Sequence, residues 1–144
     1  MKKSQINIRE AIIPDEFQEI IQLWQSAGPG IHLSPSDSLE EIQKKQLRDP
    51  DLFLIAEING ELIGTVLGGF DGRRGIVYHL AVSESYRNQG IGESLMSELE
   101  ARLHDKGCIR CYLLVTLDNQ ENIEFYLKRG WNKLELMIMG KDIR

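Results

Sequence analysis

The sequence lacks an excess of basic residues and lacks long apolar runs, and each absence excludes a class of protein. It holds 17 Lys and Arg against 22 Asp and Glu, a net charge of −5, and the basic residues form no cluster. A nucleic-acid-binding surface is therefore not expected. No apolar run approaches the roughly 18 residues that a membrane helix needs, so no membrane partner is expected. The chain also has no repeat, low-complexity segment or linker.

Cysteine is scarce as well, with only Cys108 and Cys111. This pair fits a reducing compartment. Its C-x-x-C spacing does not make a zinc site, because no second pair or histidine cluster completes four ligands. We interpret both as core thiols at a helix–strand junction and expect no bound metal. Residues 4–10 contain no apolar h-region, so no signal peptide is expected and the cytoplasm is the expected location.

What the sequence does contain is enough apolar material for one folded domain. Its 144 residues are 42% hydrophobic and 27% charged, which suits one domain and is unlike a disordered chain. We therefore expect a single domain over residues 1–144. The apolar periodicity predicts ten elements in the order β-α-α-β-β-β-α-β-α-β. This order predicts an α/β (α+β) fold, a mixed sheet with helices packed on it.

Turn and capping residues set most of the expected boundaries. The strands are expected over residues 5–9, 52–58, 61–70, 76–82, 111–116 and 131–139, and the last two helices over residues 91–106 and 119–129. Asn59-Gly60 predicts a two-residue hairpin turn, and Gly107 predicts the end of the third helix. Pro14 suits the first turn of the first helix, which Gly28-Pro29-Gly30 is expected to end.

The second helix carries a mixed apolar and charged pattern. Ser36 and Asp37 are expected to cap its start. Leu39, Ile42 and Leu47 are expected to face inward, with the charged residues between them facing outward.

The stretch over residues 80–92 is the most informative part of the chain. A β-type run flows into a glycine-bearing turn, which then opens a helix. The first turn of a helix has free N–H donors and a positive dipole end, so this order builds an anion cradle. Gly90 and Gly92 let the backbone approach a ligand closely, and Arg87 can add positive charge beside a diphosphate. A Rossmann fingerprint is excluded because Leu95 occupies its third glycine position, and a P-loop is excluded because no Gly-Lys-Ser/Thr follows.

A second pattern lies near the C-terminus. Asn119 is followed by Tyr126 seven residues on, and then by Gly130 and Trp131. Together with the Arg-x-x-Gly-x-Gly spacing of the loop, this pattern resembles the GCN5-related N-acetyltransferase (GNAT) family. The family usually has a small residue where Asn122 stands, so local packing against the cofactor is expected to differ. The resemblance is strong over residues 52–131 and covers the N-terminal helices by element order only.

The resemblance implies a single N-acetyltransferase domain built on a mixed, mostly antiparallel sheet flanked by helices. It implies acetyl-CoA as the co-substrate and a primary amine as the acceptor, with direct attack in a ternary complex. Neither cysteine lies in the motifs, so no acyl-enzyme is expected. The acceptor stays open between an N-terminus or lysine of a protein and a small amine such as a polyamine, an amino sugar or an amino acid.

The family pattern also assigns site residues. Those implied to bind the cofactor are the main chain of Leu80, Ala81 and Val82, the loop residues Arg87, Asn88, Gln89, Gly90, Ile91 and Gly92, and the side chains of Asn119 and Tyr126. The strand over residues 76–82 is implied to splay from the strand over residues 111–116 and admit the pantetheine arm. A backbone N–H of the first strand could also stabilise an oxyanion. Tyr126 is implied to lie beside the cofactor sulfur as the catalytic acid, because a phenol of ordinary pKa about 10 holds a proton at neutral pH.

The base that takes the proton from the amine is not identified by the resemblance. The positions where some relatives carry a base hold Ile76 and Tyr78, and neither is a ready base. Strand alternation predicts that the adjacent His79 points away from Tyr78, and a lone histidine in a strand is more often structural. Glu57 on a neighbouring strand is a weak candidate, and a water chain without a single base is equally compatible.

Three further residues receive little weight. Arg73 and Arg74 sit on a turn near the expected substrate mouth and could bind a carboxylate, although a solvated turn is the favoured interpretation. His32 lies between the first two helices, where the family usually lines its acceptor pocket.

One alternative function and one open question remain. The chain could bind coenzyme A as a sensor or regulatory module without efficient catalysis, which the missing base favours and the matching Tyr126 and Asn119 oppose. The oligomeric state is open, because the apolar segment over residues 134–139 is compatible with a homodimer but does not require one.

Overall fold

The computed structural model describes residues 5–28 and 31–144. The described residues up to Leu114 form one compact unit, and Val115–Arg144 form a second. The strands are β1 (Ile6–Glu10), β2 (Phe53–Ile58), β3 (Glu61–Phe70), β4 (Arg74–Val82) and β5 (Arg110–Leu113), and the helices are α1 (Phe17–Ser26), α2 (Leu39–Arg48), α3 (Ile91–Asp105) and α4 (Gln120–Leu127). Short 3₁₀ turns lie at Pro35–Asp37, Pro50–Leu52 and Glu84–Tyr86. No helix among the described residues is long and apolar enough to cross a membrane.

The five strands form one sheet in the order β1-β2-β3-β4-β5. The first three pairs are antiparallel, and only β4 with β5 is parallel, as the crossover through α3 requires. The predicted mixed and mostly antiparallel sheet is confirmed. The hairpin between β2 and β3 turns at Asn59 and Gly60, with φ of +49° and +80°, because these residue types tolerate the positive φ that a two-residue turn needs.

Both faces of the sheet are covered. On one face, Ile20 and Trp24 of α1 and Ile42 of α2 pack with Phe53 and Leu67 of the sheet, and all five side chains are at most 5% exposed. On the other face lies α3, whose apolar positions Leu95 and Leu99 are fully buried. Their side chains come so close to the β3 backbone that glycines stand at the contact points, Gly64 under Leu95 and Gly68 under Leu99.

The predicted last strand over residues 131–139 is wrong, because the structure has no regular secondary structure from residue 131 onward. Leu136, Met137 and Met139 are 77–86% exposed. A strand needs a partner for its backbone N–H and C=O groups. Apolar composition alone does not supply that partner.

The first helix begins later than predicted, at Phe17 rather than at Pro14. The reason lies in Glu16, whose carboxylate accepts the N–H of Ile12 at 2.7 Å and forms an ion pair with Arg9. These contacts hold the preceding residues in turns. Gly28, at φ +88°, follows the end of α1 as predicted, whereas Pro29 and Gly30 lie outside the described residues.

The start of α2 also differs from the prediction. Ser38 caps the helix by accepting the N–H of Glu41, while Ser34 and Asp37 cap the preceding 3₁₀ turn reciprocally. Leu39 and Leu47 were expected to face inward but are 38% and 79% exposed, unlike the buried Ile42. At 3.6 residues per turn, Leu47 lies about 140° around the helix from Ile42, so the two cannot share one buried face.

The cap of α2 can be tested directly. Ser38→Ala is expected to lower the free energy of unfolding by about 1 kcal/mol, because it leaves a helix N–H without its acceptor. Ser36→Ala is the matched control, since the Ser36 side chain bonds only the exposed Ser34 hydroxyl, and a smaller effect is expected. Urea unfolding of both variants gives the comparison, and equal losses would contradict the assignment.

Candidate functional site

The connection from β4 to α3 has the geometry of a loop that opens a helix, as the sequence predicts for residues 80–92. The 3₁₀ turn Glu84–Tyr86 leads to Asn88 and then Gly90, both at positive φ (+62° and +81°), and Gly90 is the N-cap of α3. No side chain of the described residues caps this helix, so its first N–H groups keep their capacity to bind an anion. A Cβ added at Gly90 would meet no atom within 4 Å, which leaves open space beside the backbone.

Arg87 ties this loop to the rest of its unit. Its Nε donates to the carbonyl of Val82 at 3.1 Å and its Nη2 donates to the carbonyl of Ala27 at 3.2 Å. These two bonds use two of the five guanidinium donors. Arg87 therefore holds the loop in place and still brings positive charge to it.

The pairing between β4 and β5 stops partway along β4, because β5 ends at Leu113. The two strands pair from Arg74 with Arg110 to Val77 with Leu113, and β4 then continues to Val82 paired with β3 but not with β5. Among the described residues, the β5 side of residues 78–82 has no strand partner. Leu80, Ala81 and Val82 lie in this unpaired stretch.

A β-bulge interrupts the opposite side of β4. Thr65 pairs with Ala81 and Leu67 pairs with Tyr78, so two residues of β4 oppose the single Val66 of β3. The extra residue brings His79 to a φ of +48°, an unusual value for a residue other than glycine.

Buried polar groups hold the bulge. The indole N–H of Trp24 donates to the hydroxyl of Thr65 at 2.9 Å, and that hydroxyl donates to the carbonyl of His79 at 3.2 Å. Thr65 is fully buried. The Trp24 ring also lies 4.6 Å, centroid to centroid, from the His79 ring.

The bulge opens on a cleft of about 390 Å³ between α2 and the sheet. Its lining residues are His32, Ser34, Ser36, Asp37, Glu41, Ile42, Lys44, Lys45, Arg48, Leu67, Tyr78 and His79. Tyr78 and His79 both line it, so the prediction that strand alternation separates them is wrong. The bulge breaks the two-residue period and brings both side chains to one face.

His79 has a buried partner in this cleft. Its Nε2 lies 2.7 Å from Oδ1 of Asp37, whose side chain is 8% exposed. Sequence reasoning treated Asp37 only as a helix cap. Because the two residues are 42 positions apart, no local pattern connects them.

Basic side chains of α2 also line the cleft. Lys45 forms an ion pair with Asp49 at 2.5 Å, and Arg48 donates to the carbonyl of Phe70. Burial, with the negative charge of Asp49, raises the pKa of Tyr78. Tyr78 therefore keeps its proton and is a poor base.

Of the other candidate site residues that the sequence suggests, all but one lie outside the cleft. Glu57 does not line the cleft, and its bonds with Arg9 and Asn7 hold its pKa below the ordinary value. Arg73 and Arg74 do not line it either, and their backbone N–H groups bind the Asp71 carboxylate, as a solvated turn would arrange them. His32 does line the cleft.

In the second unit, the spacing of Asn119, Gly130 and Trp131 follows from the two ends of α4. Asn119 is the N-cap of α4 and accepts the N–H of Asn122 at 3.3 Å. At the other end, Gly130 has φ +91°, its N–H bonds Leu127, and the N–H of Trp131 bonds the carbonyl of Tyr126. This is a Schellman cap, and the matching residues therefore mark both ends of one helix.

Tyr126 has the protonation state that an acid requires. Burial raises its pKa to about 12, so the phenol keeps its proton at neutral pH. Its ring contacts those of Phe125 and Trp131, at centroid distances of 5.2 Å and 6.0 Å. No described residue is hydrogen-bonded to its hydroxyl.

The two cysteines meet at the junction of α3 and β5. A Cβ added at Gly75 would lie 3.0 Å from Sγ of Cys108 and 3.1 Å from Sγ of Cys111. Both are partly exposed rather than core residues. Burial raises the pKa of the Cys111 thiol to about 11, which makes it a poor nucleophile. Within the described ranges, no three His, Cys, Asp or Glu side chains are grouped to hold a metal.

The fold and the site define an α/β protein in which one strand leads to a helix whose start has no side-chain cap, and also borders a polar cleft. The sequence matches the Acetyltransferase (GNAT) family over residues 17–131, and the chain belongs to that family.

The relatives agree with this assignment. An acetyltransferase of Pectobacterium atrosepticum is 40% identical over 130 residues, 90% of either chain. Among solved structures, the PaiA N-acetyltransferase of Thermoplasma acidophilum in complex with coenzyme A has a TM-score of 0.78 at 23% identity, covering 92% of this chain and 93% of that one. The aminoglycoside N-acetyltransferase AAC(6')-Iy in complex with CoA has a TM-score of 0.74 at 18% identity, covering 99% and 98%. These structures share the fold.

Proposed function

We propose that this protein transfers an acetyl group from acetyl-CoA to a primary amine, by direct attack in a ternary complex. The observation that carries the proposal is the uncapped N-terminus of α3, opened by Gly90 directly after β4, in a chain that belongs to the acetyltransferase family. The coenzyme A bound in two fold neighbours supports the choice of co-substrate.

The residues of the loop fit a diphosphate. Free N–H groups at the start of α3 and the positive charge of Arg87 suit an anion, and the open space at Gly90 lets the ligand reach the backbone. The cofactor-binding loop would comprise Arg87, Asn88, Gln89, Gly90, Ile91 and Gly92.

The unpaired stretch of β4 would hold the pantetheine arm. Its main-chain groups at Leu80, Ala81 and Val82 lack a strand partner on the β5 side within the described residues, so an amide-bearing ligand could pair with them as an added strand. The side chain of Asn119 would contribute through its amide N–H₂, because its oxygen already accepts the N–H of Asn122.

Bound acetyl-CoA supplies an activated acetyl thioester. The protein would position the amine against it and place a β4 backbone N–H near the acetyl oxygen, where negative charge develops. Tyr126 would donate its phenolic proton to the leaving thiolate. The raised pKa of Tyr126 means that the phenol still carries its proton when the thiolate leaves, as a proton donor must.

The acceptor is a primary amine on either a small molecule or a protein. Proteins that share this fold include an aminoglycoside N-acetyltransferase and the NatC complex, which was solved bound to Gag peptide and CoA. The described cleft is lined by charges of both signs, which is compatible with either kind of acceptor.

Thermal unfolding with acetyl-CoA tests the co-substrate. A ligand that binds only the folded state adds about 2.7 kcal/mol at roughly one hundred times its Kd, which raises Tm by several degrees for a domain of this size. We expect this rise with acetyl-CoA and not with ATP or NAD.

A matched pair of glycine variants locates the binding site. Gly90 and Gly72 both have positive φ, +81° and +99°, and a Cβ at either meets no atom within 4 Å. Gly90→Ala and Gly72→Ala therefore introduce similar backbone strain, but only Gly90→Ala should reduce the shift by acetyl-CoA. An unchanged shift in Gly90→Ala, or no shift in the wild type, would refute the proposed cradle.

A further inference from the structure

The cleft contains a buried histidine–carboxylate pair, His79 and Asp37, with side chains 17% and 8% exposed. We propose that His79 is the general base that takes the proton from the acceptor amine, and that Asp37 is the residue that positions its ring. This inference rests on the proposed function, because it assigns the acceptor amine to this cleft.

The hydrogen bonds determine which ring nitrogen is available. An ionised carboxylate only accepts hydrogen bonds, so Nε2 of His79 carries the hydrogen that points to Oδ1 of Asp37. The lone pair then lies on Nδ1, for which the described residues offer no hydrogen-bond partner. Asp37 is itself held, because its Oδ2 accepts the N–H of Ser34 at 2.9 Å. The ring is thereby kept in one tautomer and one orientation.

The backbone around His79 is arranged to present the ring to the cleft. The bulge and the positive φ put His79 on the same face as Tyr78. The Thr65 hydroxyl anchors the His79 carbonyl, and the Trp24 ring packs against the imidazole. A non-glycine residue at positive φ persists where the surroundings hold it, and such positions cluster at functional sites.

The other groups in the cleft are less suited to accept a proton. Lys45 is engaged by Asp49, and the raised pKa of Tyr78 makes it a phenol that keeps its hydrogen. His32 also lines the cleft, but no carboxylate among the described residues orients its ring.

The protons and electron pairs of the reaction balance with this assignment. The acceptor ammonium gives one proton to Nδ1 of His79, and the lone pair freed on nitrogen forms the new C–N bond to the acetyl carbon. The C–S bond breaks, its electron pair stays on sulfur, and the thiolate takes a proton from Tyr126. The nitrogen loses a second proton, which restores the tyrosine through solvent, and His79 releases its proton to solvent, so one proton leaves overall.

The main test uses a substitution that keeps the backbone. Asparagine tolerates positive φ, so His79→Asn removes the base with little strain. Thiol release from acetyl-CoA is followed with spermidine, glucosamine and a lysine-containing peptide, and kinetics use the amine that the wild type acetylates fastest. We expect kcat to fall about 100-fold or more, with the Tm shift by acetyl-CoA retained. His104→Asn is the matched control, because that side chain is 87% exposed on α3, and its kcat should stay unchanged.

Two further readouts separate a base from a structural histidine. His79→Gly leaves a hole at a backbone position that glycine favours, and added imidazole is expected to restore part of kcat without changing Tm. In the wild type without ligand, long-range ¹H–¹⁵N NMR should show the His79 ring with its proton on Nε2. Asp37→Asn should move part of the population to the Nδ1–H tautomer and lower kcat more than it changes KM.

The outcomes distinguish this inference from the proposed function. If acetyl-CoA causes no Tm shift, or no amine accelerates thiol release by the wild type, the proposed function fails and this inference fails with it. If the wild type is active but His79→Asn keeps more than a third of kcat, only the assignment of the base is overturned. A wild-type ring protonated on Nδ1 would overturn it as well.

Discussion

Replacing Tyr126 with Phe is expected to lower the turnover number about 100-fold or more and to leave KM for acetyl-CoA within about threefold. General acid catalysis contributes roughly 10²- to 10⁴-fold to a rate, and the phenylalanine ring keeps the packing while it removes the proton. An interaction made only in the transition state appears in kcat rather than in KM. The raised pKa of Tyr126, about 12, means that its proton is present throughout the neutral range.

This substitution is a clean test because no described residue is hydrogen-bonded to the Tyr126 hydroxyl. Removing it should therefore change stability little, and Tm serves as the check on folding. Tyr86→Phe is the matched control, since its exposed hydroxyl bonds Glu61 at 3.1 Å at the surface. A Tyr126→Phe enzyme with an unchanged turnover number would show that the phenol is not the acid.

Leu99→Ala is expected to lower the free energy of unfolding by about 2–5 kcal/mol, the range for deleting a buried leucine side chain. Leu99 is fully buried, and its Cδ1 would lie 2.6 Å from a Cβ at Gly68. The backbone of β3 already lies against this side chain, so the surroundings have little freedom to fill the cavity. For a domain of marginal stability this is a large fraction of the total, and Tm should fall by roughly 10 °C.

Leu47→Ala makes the same chemical change at an exposed position, so comparing the two variants measures the effect of burial on stability. Leu47 is also on a helix, but it is 79% exposed, so the same substitution should cost less than about 0.5 kcal/mol. Urea unfolding of both variants measures the difference. A loss below about 1 kcal/mol for Leu99→Ala would contradict the packing of α3 on the sheet.

Some elements could be predicted from local sequence because their causes are local. The strand over residues 61–70 is found at the predicted bounds, and α3 begins at Ile91 as predicted. The hairpin at Asn59-Gly60 depends on the φ preferences of two adjacent residues. The fold class followed from the order of such elements, and the loop motif followed from glycine spacing.

Other elements were mispredicted because their causes lie in distant partners. The C-terminal segment has the composition of a strand, but a strand exists only where another strand completes its hydrogen bonds. The inward face of α2 was predicted from its apolar residues alone. Leu47 lies about 140° around the helix from the buried Ile42 and is therefore exposed.

The candidate site also has parts whose causes are local in the sequence and parts whose causes are distant. Sequence alone determined the turn at Arg87–Gly92 that opens α3 and the helix ends marked by Asn119 and Gly130, because each depends on contacts within a few residues. Tertiary structure alone decided the cleft and the pairing of His79 with Asp37. A bulge whose hydrogen bonds come from Thr65 and Trp24 reverses the local alternation, and a carboxylate 42 residues away orients the ring. Such long-range contacts are set by the packing of α1, α2 and the sheet, which no local pattern encodes.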